Sequence, residues 1–331
     1  MTGVQTCALP ICNRGKILNE DAKLFIENIT ALRKLNKYMD TYVQGIFSVI
    51  NPDGRLRCTY NLHGTETGRL SCSDPNMQNI PRDKTIKNIF KAAQGRKLVQ
   101  LDYSQAELRV LAILSNDKFL IDTYINGRDL HDAVAEDMFG PGFTKEQRVM
   151  AKTVNFGIAY GRGASSLSET FGMSRTDAQA FIDQWFETVP GARRYINTQR
   201  QKPLKGEPCI TYFGRRRHFV ITNDHLYHIQ NEYVNTPIQS LASDLTMMSL
   251  IGIHQWIEQN NIDAKIVITV HDSIVLEVVD DDEVINKVAK ECTRIMAEIP
   301  KHFIKNCPVP FKADAEVGYS WGALTEWDTQ S

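Results

Sequence analysis

The sequence predicts an α+β fold in which an antiparallel sheet is interrupted by a mostly helical insertion. Three short apolar runs with many β-branched residues indicate strands at residues 97–102, 265–270 and 273–279. His271 and Asp272 separate the last two runs, which indicates a tight hairpin. Between the first run and this hairpin, several segments carry apolar residues at helical spacing, which places a helical insertion within the sheet.

The N-terminal part of the chain contains three different patterns. Residues 1–12 follow neither a helical nor a strand period, so we expect a non-native or disordered leader. Residues 18–44 have the apolar spacing of a helix. Residues 46–62 are typical of a hairpin, with its turn at residues 51–54.

Helix starts and stops are marked within the insertion and after it. Ser104 follows the first strand, and we expect it to cap a helix. Thr144 and Gln147 have the spacing of a capping box, and the helix that they begin should end at Gly161. Residues 238–260 again have a helical pattern.

Composition and charge limit the class of protein. The chain has 331 residues, of which 42% are hydrophobic and 23% charged, so it can bury a core and is not a disordered chain. The net charge is −1, but residues 193–217 contain eight basic residues and one acid, and residues 82–97 contain six and one. Such segregated charge creates strong local fields of the kind that attract polyanions. Either basic run is equally consistent with a solvated face.

Cysteine usage and hydropathy bear on location. The seven cysteines include no CxxC pair or other zinc spacing, which is typical of free thiols in a reducing compartment. No apolar stretch reaches the length needed to span a membrane. We therefore expect a cytoplasmic protein without a membrane partner.

Two aspartates are candidate metal ligands. Asp102 ends an apolar strand and Asp272 lies at a hairpin tip, so both carboxylates could reach the rim of one sheet. Phosphoryl transfer to a hydroxyl group uses two divalent ions about 3.5–4 Å apart, and Mg²⁺ prefers oxygen ligands from one or two carboxylates. Taken singly, each aspartate is also consistent with an ordinary strand-end or turn residue.

The helix that begins near Thr144 has a distinctive stripe. Arg148, Lys152, Phe156 and Tyr160 recur every fourth residue and therefore form one slanting row. The two cations lie in the N-terminal half, where the helix dipole also favours anions. A triphosphate followed by a nucleoside would match this order. An amphipathic helix with a basic edge and an aromatic core face would produce the same pattern.

In combination, these segments resemble the family A DNA polymerases, the group of bacterial polymerase I. Residues 101–109 (LDYSQAELR) resemble motif A, residues 148–161 (RxxxKxxxFxxxYG) resemble motif B, and residues 270–272 (VHD) resemble motif C. Flanking matches occur at residues 67–71 (TGRLS), 75–81 (PNMQNIP), 214–217 (GRRR) and 235–239 (NTPIQ). The segments follow the family's order and extend over nearly everything after residue 18.

The resemblance implies a role for each matching residue. Asp102, Asp272 and the Tyr103 carbonyl group would bind two Mg²⁺ ions, and Lys152 would protonate the leaving pyrophosphate. The incoming nucleotide would be bound by Tyr103, Gln105, Glu107, His131, Arg148, Lys152, Phe156 and Tyr160. In this set, Glu107 would exclude a 2′-hydroxyl group. Primer–template DNA would be contacted by Arg69, Gln78, Asn79, Asn235, Gln239 and His271.

The resemblance also implies a right-hand polymerase fold for a monomer that binds primer–template DNA and dNTPs. The expected parts are a thumb base (13–48), a palm in two sections (49–115 and 226–331) and helical fingers (116–225). The thumb would be truncated, and no 3′–5′ exonuclease region is expected in this chain.

Two departures from the family pattern leave alternatives open. Ser273 stands where many members have Glu, and Asn231 stands where cellular enzymes commonly have Arg, which suggests a phage-like branch. His-Asp-Ser also occurs in single-subunit RNA polymerases, whereas Glu107 favours deoxynucleotides. The other alternative is a non-catalytic fragment that binds primer–template DNA without extending it.

Overall fold

The computed structural model describes residues 20–159 and 161–329, which belong to two compact units. The first unit contains the described residues up to Thr59 together with residues 72–77. The second contains residues 60–71 and the described residues from Gln78 onward. The predicted leader lies outside the described residues.

Helices account for most of the chain. The α-helices are α1 (Glu20–Lys37), α2 (Gly45–Phe47), α3 (Lys84–Lys87), α4 (Ala106–Ser115), α5 (Lys118–Ile125), α6 (Leu130–Phe139), α7 (Lys145–Ala159), α8 (Ala164–Phe171), α9 (Arg175–Thr188), α10 (Pro190–Gln201), α11 (Leu226–Gln259) and α12 (Asp282–Phe303). A π-helical segment lies at Tyr38–Gln44, and 3₁₀ turns lie at Met77–Asn79, Pro203–Lys205 and Asn223–His225. Within the described residues, no helix is both long and apolar enough to cross a membrane.

Nine strands are present in the described residues, and five of them form a central sheet in the second unit. The strands are β1 (Thr59–Asn61), β2 (Ser71–Ser73), β3 (Arg96–Tyr103), β4 (Cys209–Ile210), β5 (Arg216–Arg217), β6 (Ala264–Val270), β7 (Ser273–Val279), β8 (Ala313–Gly318) and β9 (Thr325–Glu326). The central sheet has the order β6-β7-β3-β8-β9, and each neighbouring pair is antiparallel. The predicted strands, their antiparallel arrangement and the β6–β7 hairpin are confirmed.

The first unit is mainly one long helix. α1 continues directly into the π-helical segment, which confirms the helical prediction for residues 20–44. The apolar side chains of Leu24, Phe25, Leu32 and Leu35 are each more than half exposed. The apolar spacing therefore identified the helix correctly, although these residues are not part of a core.

The predicted turn at residues 51–54 is confirmed, but the hairpin predicted over residues 46–62 is wrong. Ile46 belongs to α2, where the first strand was expected, and a hydrogen-bonded turn from Asn51 to Gly54 follows. Tyr42 and Ile46 are both buried and lie four residues apart, so they share one face of a continuing helix. The helical period thus overrides the local preference of Ile46 for a strand.

The central sheet packs one face against the hydrophobic core. Val99, Leu101 and Tyr103 alternate along β3 and are almost fully buried. The Tyr103 hydroxyl group donates to the Met296 carbonyl oxygen (2.6 Å) and lies 2.8 Å from Ser249 Oγ. These contacts fix β3 against α11 and α12, so the intervening residues of β3 face the other side of the sheet.

The cap predicted for α4 is wrong. Ser104 lies in the turn directly after β3, where its backbone N–H donates to the carbonyl oxygen of Lys312, the residue before β8 (2.9 Å). The N-cap is Gln105, which has a left-handed backbone (φ 55°) and makes no side-chain capping bond. Because the backbone of Ser104 is bonded to the chain next to β8, the helix begins only after the following residue.

α11 begins twelve residues earlier than predicted. The predicted start at residue 238 follows Pro237, a residue that favours the first turn of a helix and disfavours its interior. In the structure, Pro237 is completely buried inside the helix, which extends from Leu226. Burial of the helix on its core-facing side offsets the backbone hydrogen bond that proline cannot make.

A buried aspartate joins α5 to α10. Asp117 caps α5 by accepting from Leu120 N (3.1 Å), and its other oxygen accepts from Gly191 N (2.6 Å) and Ala192 N (3.1 Å). A Cβ atom at Gly191 would lie 2.7 Å from Asp117 Cα, so only glycine permits this approach. One side chain therefore accepts hydrogen bonds from unpaired backbone N–H groups at the N-termini of two helices.

We expect Asp117→Ala to lower the free energy of unfolding by about 3 kcal/mol, because it leaves three buried backbone donors unpaired. Denaturant unfolding measures the loss. Ser174→Ala is the matched control, since Ser174 caps α9 on the surface, and it should cost about 1 kcal/mol. Equal losses in the two variants would contradict the role of Asp117 as a link between helices.

Candidate active site

Two carboxylates lie side by side at one end of the central sheet. In the register of β3 with β7, Asp102 is opposite Ser273, the residue after Asp272. The Tyr103 N–H group lies 3.5 Å from the Asp272 carbonyl oxygen. His271 has a left-handed backbone (φ 54°), which makes the β6–β7 turn tight. The structure therefore brings together two acids that are far apart in the sequence.

Burial makes both carboxylates difficult to ionise, and at Asp102 the repulsion from neighbouring acids adds to it. The surrounding protein and the neighbouring charge of Asp272 raise the pKa of Asp102 to about 6, although its side chain reaches solvent. Arg82 opposes this rise. Burial raises the pKa of Asp272, against the lowering effects of Arg69 and His271.

The pair has the chemistry of a divalent-cation site. Asp272 Oδ1 is buried, and no described residue donates a hydrogen bond to it. A cation bound by Asp102, Asp272 and the Tyr103 carbonyl group would satisfy this oxygen and relieve the repulsion. The described residues contain no group of three or more His, Cys, Asp or Glu side chains that could hold a metal ion. Further ligands would therefore be backbone, water or substrate oxygens.

A buried ion pair lies beside the carboxylates. The Arg69 guanidinium group donates to Glu107 Oε1, and the Glu107 residue is only 7% exposed. The pKa of Glu107 is raised to about 7, because burial and, to a smaller extent, the charge of Asp272 outweigh the lowering effect of Arg69. Arg69, Gln78 and His271 also line one small cavity. Four of the predicted site residues thus share one neighbourhood.

The stripe predicted on α7 lies on the accessible side of that helix. Lys152 is exposed, and Arg148 and Phe156 are partly exposed, whereas Val154 and Asn155 between them are buried. The capping box is also present: Gln147 N donates to Thr144 Oγ1 (3.3 Å), and Thr144 N donates to Gln147 Oε1 (2.7 Å). The cations therefore face away from the core. Tyr160 lies outside the described residues.

A hydrogen-bonded chain connects the first motif to this helix. Gln105 Nε2 donates to Asp129 Oδ2 (2.7 Å), and Arg148 Nη2 donates to Asp129 Oδ1 (3.3 Å). Arg148 Nε also donates to Asp132. The Tyr124 hydroxyl group donates to Gln105 Oε1 (3.0 Å) and fixes the orientation of the amide. Two acids of the α6 N-terminus thus orient the arginine of the stripe.

His131 lies next to the stripe. Its ring is 5.4 Å from that of Phe156, measured between centroids, and its Nδ1 is 3.0 Å from Asn155 Nδ2. The pKa of His131 is lowered to about 4, mainly by burial and also by the charges of Lys152 and Arg148, against the raising effect of Asp129. Three of the predicted nucleotide-binding residues therefore surround one histidine that is neutral at physiological pH.

The remaining predicted residues lie on α11 and near the cavity. Asn235 and Gln239 are four residues apart on α11, and Ser243, another turn along, lines the cavity with Arg69. Asn79 follows Gln78 in a 3₁₀ turn and is exposed. These positions extend from the cavity along one face of α11.

Comparison with known proteins identifies the family of the chain. The sequence profile of DNA polymerase family A matches residues 15–323. The chain belongs to this family. Among its relatives, DNA polymerase I of Chloroflexus aurantiacus is 33% identical over 324 residues, which cover 94% of this chain and 34% of that protein. A DNA polymerase of Bacillus phage SP01 is 34% identical over 329 residues, which cover 91% and 35% respectively.

A solved structure gives the same fold. The POL domain of Pol1 from M. smegmatis, in complex with DNA primer-template and dNTP, has a TM-score of 0.82 and 29% sequence identity. The likeness covers 90% of this chain and 53% of that one, and it confirms the predicted α+β polymerase fold. The chain spans about a third of the length of the curated relatives that it matches.

Several residues of this family A site were not predicted. Asp129 had a usable signal, because it immediately precedes His131 and is the N-cap of α6. Arg82 was visible only as one member of a basic run. Asn155 and Trp185 had no signal, because both lie among apolar residues of helices, and only the packing of those helices brings them to His131.

We expect Asp102→Asn to raise the melting temperature of the metal-free protein at pH 8. The pKa of Asp102 in the folded state, about 6, lies above its ordinary value of 3.8, so folding is penalised progressively as the pH rises from about 4 to 6. The full penalty remains above pH 6, and asparagine removes it. Thermal unfolding in EDTA between pH 4 and pH 8 should therefore show a higher melting temperature for the variant than for the unmodified chain, and the difference should disappear near pH 4.

Asp280→Asn is the matched control on the same sheet. Lys97, 2.9 Å away, lowers the pKa of Asp280, so the ionised form stabilises the fold and its removal should not raise the melting temperature. If Asp102→Asn gives no gain in melting temperature at pH 8, burial and the neighbouring acids do not penalise the ionised form of Asp102.

Proposed function

We propose that this chain extends a DNA primer with dNTPs, as a template-directed DNA polymerase that requires two Mg²⁺ ions. The observation that carries the proposal is the pairing of Asp102 with Asp272, where one buried carboxylate oxygen has no hydrogen-bond donor among the described residues. Membership of DNA polymerase family A and the likeness to a POL domain in complex with primer-template and dNTP support it.

The carboxylate pair serves as the metal-binding end of the site. When bound, the ions supply Lewis-acid activation of the primer 3′-hydroxyl group and neutralise charge on the α-phosphate and the leaving pyrophosphate. Asp102 is open to solvent, whereas Asp272 is half-buried. The antiparallel ladder fixes the spacing of their main chains, so neither strand has to move before the reaction. Positioning therefore supplies much of the catalysis.

The stripe on α7 serves as the nucleotide-binding surface. Arg148 offers a planar fork for phosphate oxygens, and Lys152 offers an exposed ammonium group that can give its proton to the pyrophosphate. Phe156, packed beside His131, provides a flat apolar surface for the sugar. We assign Gln105 to the orientation of this surface, through its bond to Asp129.

The cavity serves as the DNA-binding end. Arg69, Gln78 and His271 line it, and Asn235 and Gln239 lie on the helix that continues from it. Side chains of this kind in the minor groove contact acceptors that A·T and T·A pairs share, so they test the shape of a pair without reading its sequence. Such contacts suit an enzyme that copies any template.

The deoxyribose preference is assigned to Glu107. This side chain is buried and held by Arg69, so it is a fixed obstacle rather than a mobile surface acid. Ser273, the residue shared with single-subunit RNA polymerases, donates its hydroxyl group to the Val270 carbonyl oxygen (2.9 Å). Since this bond closes the hairpin locally, Ser273 gives no support to ribonucleotide use.

We further propose that the chain acts as a monomer in the cytoplasm, with the thumb, palm and fingers divided as predicted from the sequence. The cytoplasmic location is supported by Cys58, Cys72, Cys209, Cys292 and Cys307, all of which are free thiols.

We expect Asp272→Asn to reduce primer extension by at least about a thousandfold, or roughly 4 kcal/mol of activation free energy, because one metal ligand is lost. Primer–template affinity should be unchanged or slightly tighter, since a negative charge is removed. Extension assays and fluorescence anisotropy measure the two quantities. Asp263→Asn, a surface acid paired with Arg96, is the control and should extend normally.

If the chain is instead a non-catalytic DNA-binding fragment, the unmodified chain should show no primer extension. In that case the chain would bind primer–template DNA in a salt-sensitive manner and extend nothing at any Mg²⁺ concentration. That outcome would refute the enzymatic proposal while leaving the family assignment intact.

We expect Glu107→Ala to improve the use of rNTPs relative to dNTPs by at least about tenfold, or roughly 1.4 kcal/mol, because it opens space beside the sugar. Glu107→Gln keeps the volume and removes the charge, so it should retain the preference for dNTPs. Single-nucleotide incorporation with each nucleotide set measures the ratio. Equal selectivity in the alanine variant and the unmodified chain would remove Glu107 from the sugar site.

A further inference from the structure

A linear chain of two hydrogen bonds runs from Trp185 through Asn155 to His131. Trp185 Nε1 donates to Asn155 Oδ1 (2.6 Å), and Asn155 Nδ2 lies 3.0 Å from His131 Nδ1. Asn155 is 0% exposed and Trp185 is 1% exposed. The chain links α9, α7 and α6 at a place that bulk water does not reach.

The direction of this chain follows from the chemistry of its members. An indole N–H group can only donate, so the oxygen of the Asn155 amide must face Trp185. The NH₂ group of the same amide then faces His131 and donates to Nδ1. An imidazole nitrogen that accepts a hydrogen bond carries no proton, so the proton of the neutral ring lies on Nε2. Rotating the amide would set donor against donor at Trp185.

We propose that Trp185 and Asn155 are positioning residues that keep His131 in its Nε2–H tautomer, so that the ring donates a hydrogen bond to a phosphate oxygen of the nucleotide. The phosphate contact rests on the proposed function, whereas the tautomer does not. Among residues 20–159 and 161–329, the hydrogen bond to the imidazole engages only Nδ1. Nε2 therefore remains available to a ligand.

The charges around His131 favour a neutral donor. Lys152 and Arg148 on α7 lower its pKa, and Asp129 and Asp132 near its own end of α6 raise it, but burial has the largest effect and brings the pKa to about 4. The stripe already supplies two cations for a triphosphate. A neutral N–H group adds a directed bond without a third buried charge, and it does not change between pH 5.5 and pH 8.

The tautomer can be observed directly. Nitrogen-15 NMR of the histidine-labelled chain, with the His131 signals assigned by their loss in His131→Gln, should give a protonated Nε2 and an unprotonated Nδ1 at pH 7. A proton on Nδ1, or a doubly protonated ring at this pH, would overturn the proposal. This measurement needs no polymerase activity.

Trp185→Phe tests the origin of the tautomer. It removes the indole donor and keeps an aromatic ring, so the Asn155 amide is free to rotate and present its oxygen to Nδ1. We expect the Nδ1–H tautomer to appear in NMR spectra. The Kd for inorganic tripolyphosphate should rise about three- to tenfold, because the Nε2–H donor is lost. Trp256→Phe, at a partly buried tryptophan of α11, should change neither quantity.

Asn155→Asp provides a second, opposite perturbation. A carboxylate can accept from Trp185 and from a protonated Nδ1 together, so the pKa of His131 should rise by about two to three units and the ring should become an imidazolium at the lower end of the range from pH 5.5 to pH 8. The KM for dNTPs should then depend on pH between 5.5 and 8, while kcat at saturating dNTP changes little. An unshifted His131 titration would contradict the direction of the chain.

The outcomes separate this inference from the proposed function. Correct tautomers without primer extension would leave the positioning role intact and defeat the polymerase proposal. Primer extension together with a proton on Nδ1 would support the polymerase proposal and refute the positioning role of Trp185 and Asn155. If Trp185→Phe changes the tautomer but not the Kd for tripolyphosphate, the phosphate contact assigned to His131 is refuted.

Discussion

The site depends on the antiparallel register between β3 and β7, which holds two carboxylates next to each other, one of them exposed and the other half-buried. Ionisation is unfavourable there, because burial raises the pKa of both acids and the charge of Asp272 raises that of Asp102 further. The sheet can impose this arrangement because the opposite face of β3 is locked into the core, with the Tyr103 hydroxyl group bonded to Met296 and next to Ser249. Folding free energy from the core thus maintains a pair that a bound cation would relieve.

The second layer of the site is a set of polar links between helices. Gln105, Asp129 and Arg148 connect the end of β3 to α7, and Arg69 reaches Glu107 in α4. Each link pairs a charged group with a partner, which limits the cost of placing charges at partly buried positions. The same links orient the side chains before any ligand binds, so the proposed nucleotide would lose less side-chain entropy on binding.

Much of the framework was predictable from local pattern. The strands of β3, β6 and β7 and the capping box of α7 follow from short-range apolar periodicity and side-chain chemistry. The errors have physical causes: the backbone of Ser104 is bonded to the chain next to β8 and its side chain does not cap a helix, and Ile46 follows the face set by Tyr42. In both places a neighbouring element decided a conformation that the local sequence left ambiguous.

The candidate site divides in the same way. The motifs identified the carboxylates and the stripe, but the adjacency of Asp102 and Asp272 is a matter of strand register, which no spacing in the sequence encodes. Asn155 and Trp185 could not be predicted, because their polar groups act only where three helices meet. The central claim is that Asp102 and Asp272 hold the cations of the proposed reaction. A crystal soaked in Mn²⁺, with primer–template DNA and an incoming nucleotide, tests it most directly through anomalous scattering. The account predicts Mn²⁺ peaks in contact with both carboxylates, and peaks that contact neither would contradict it.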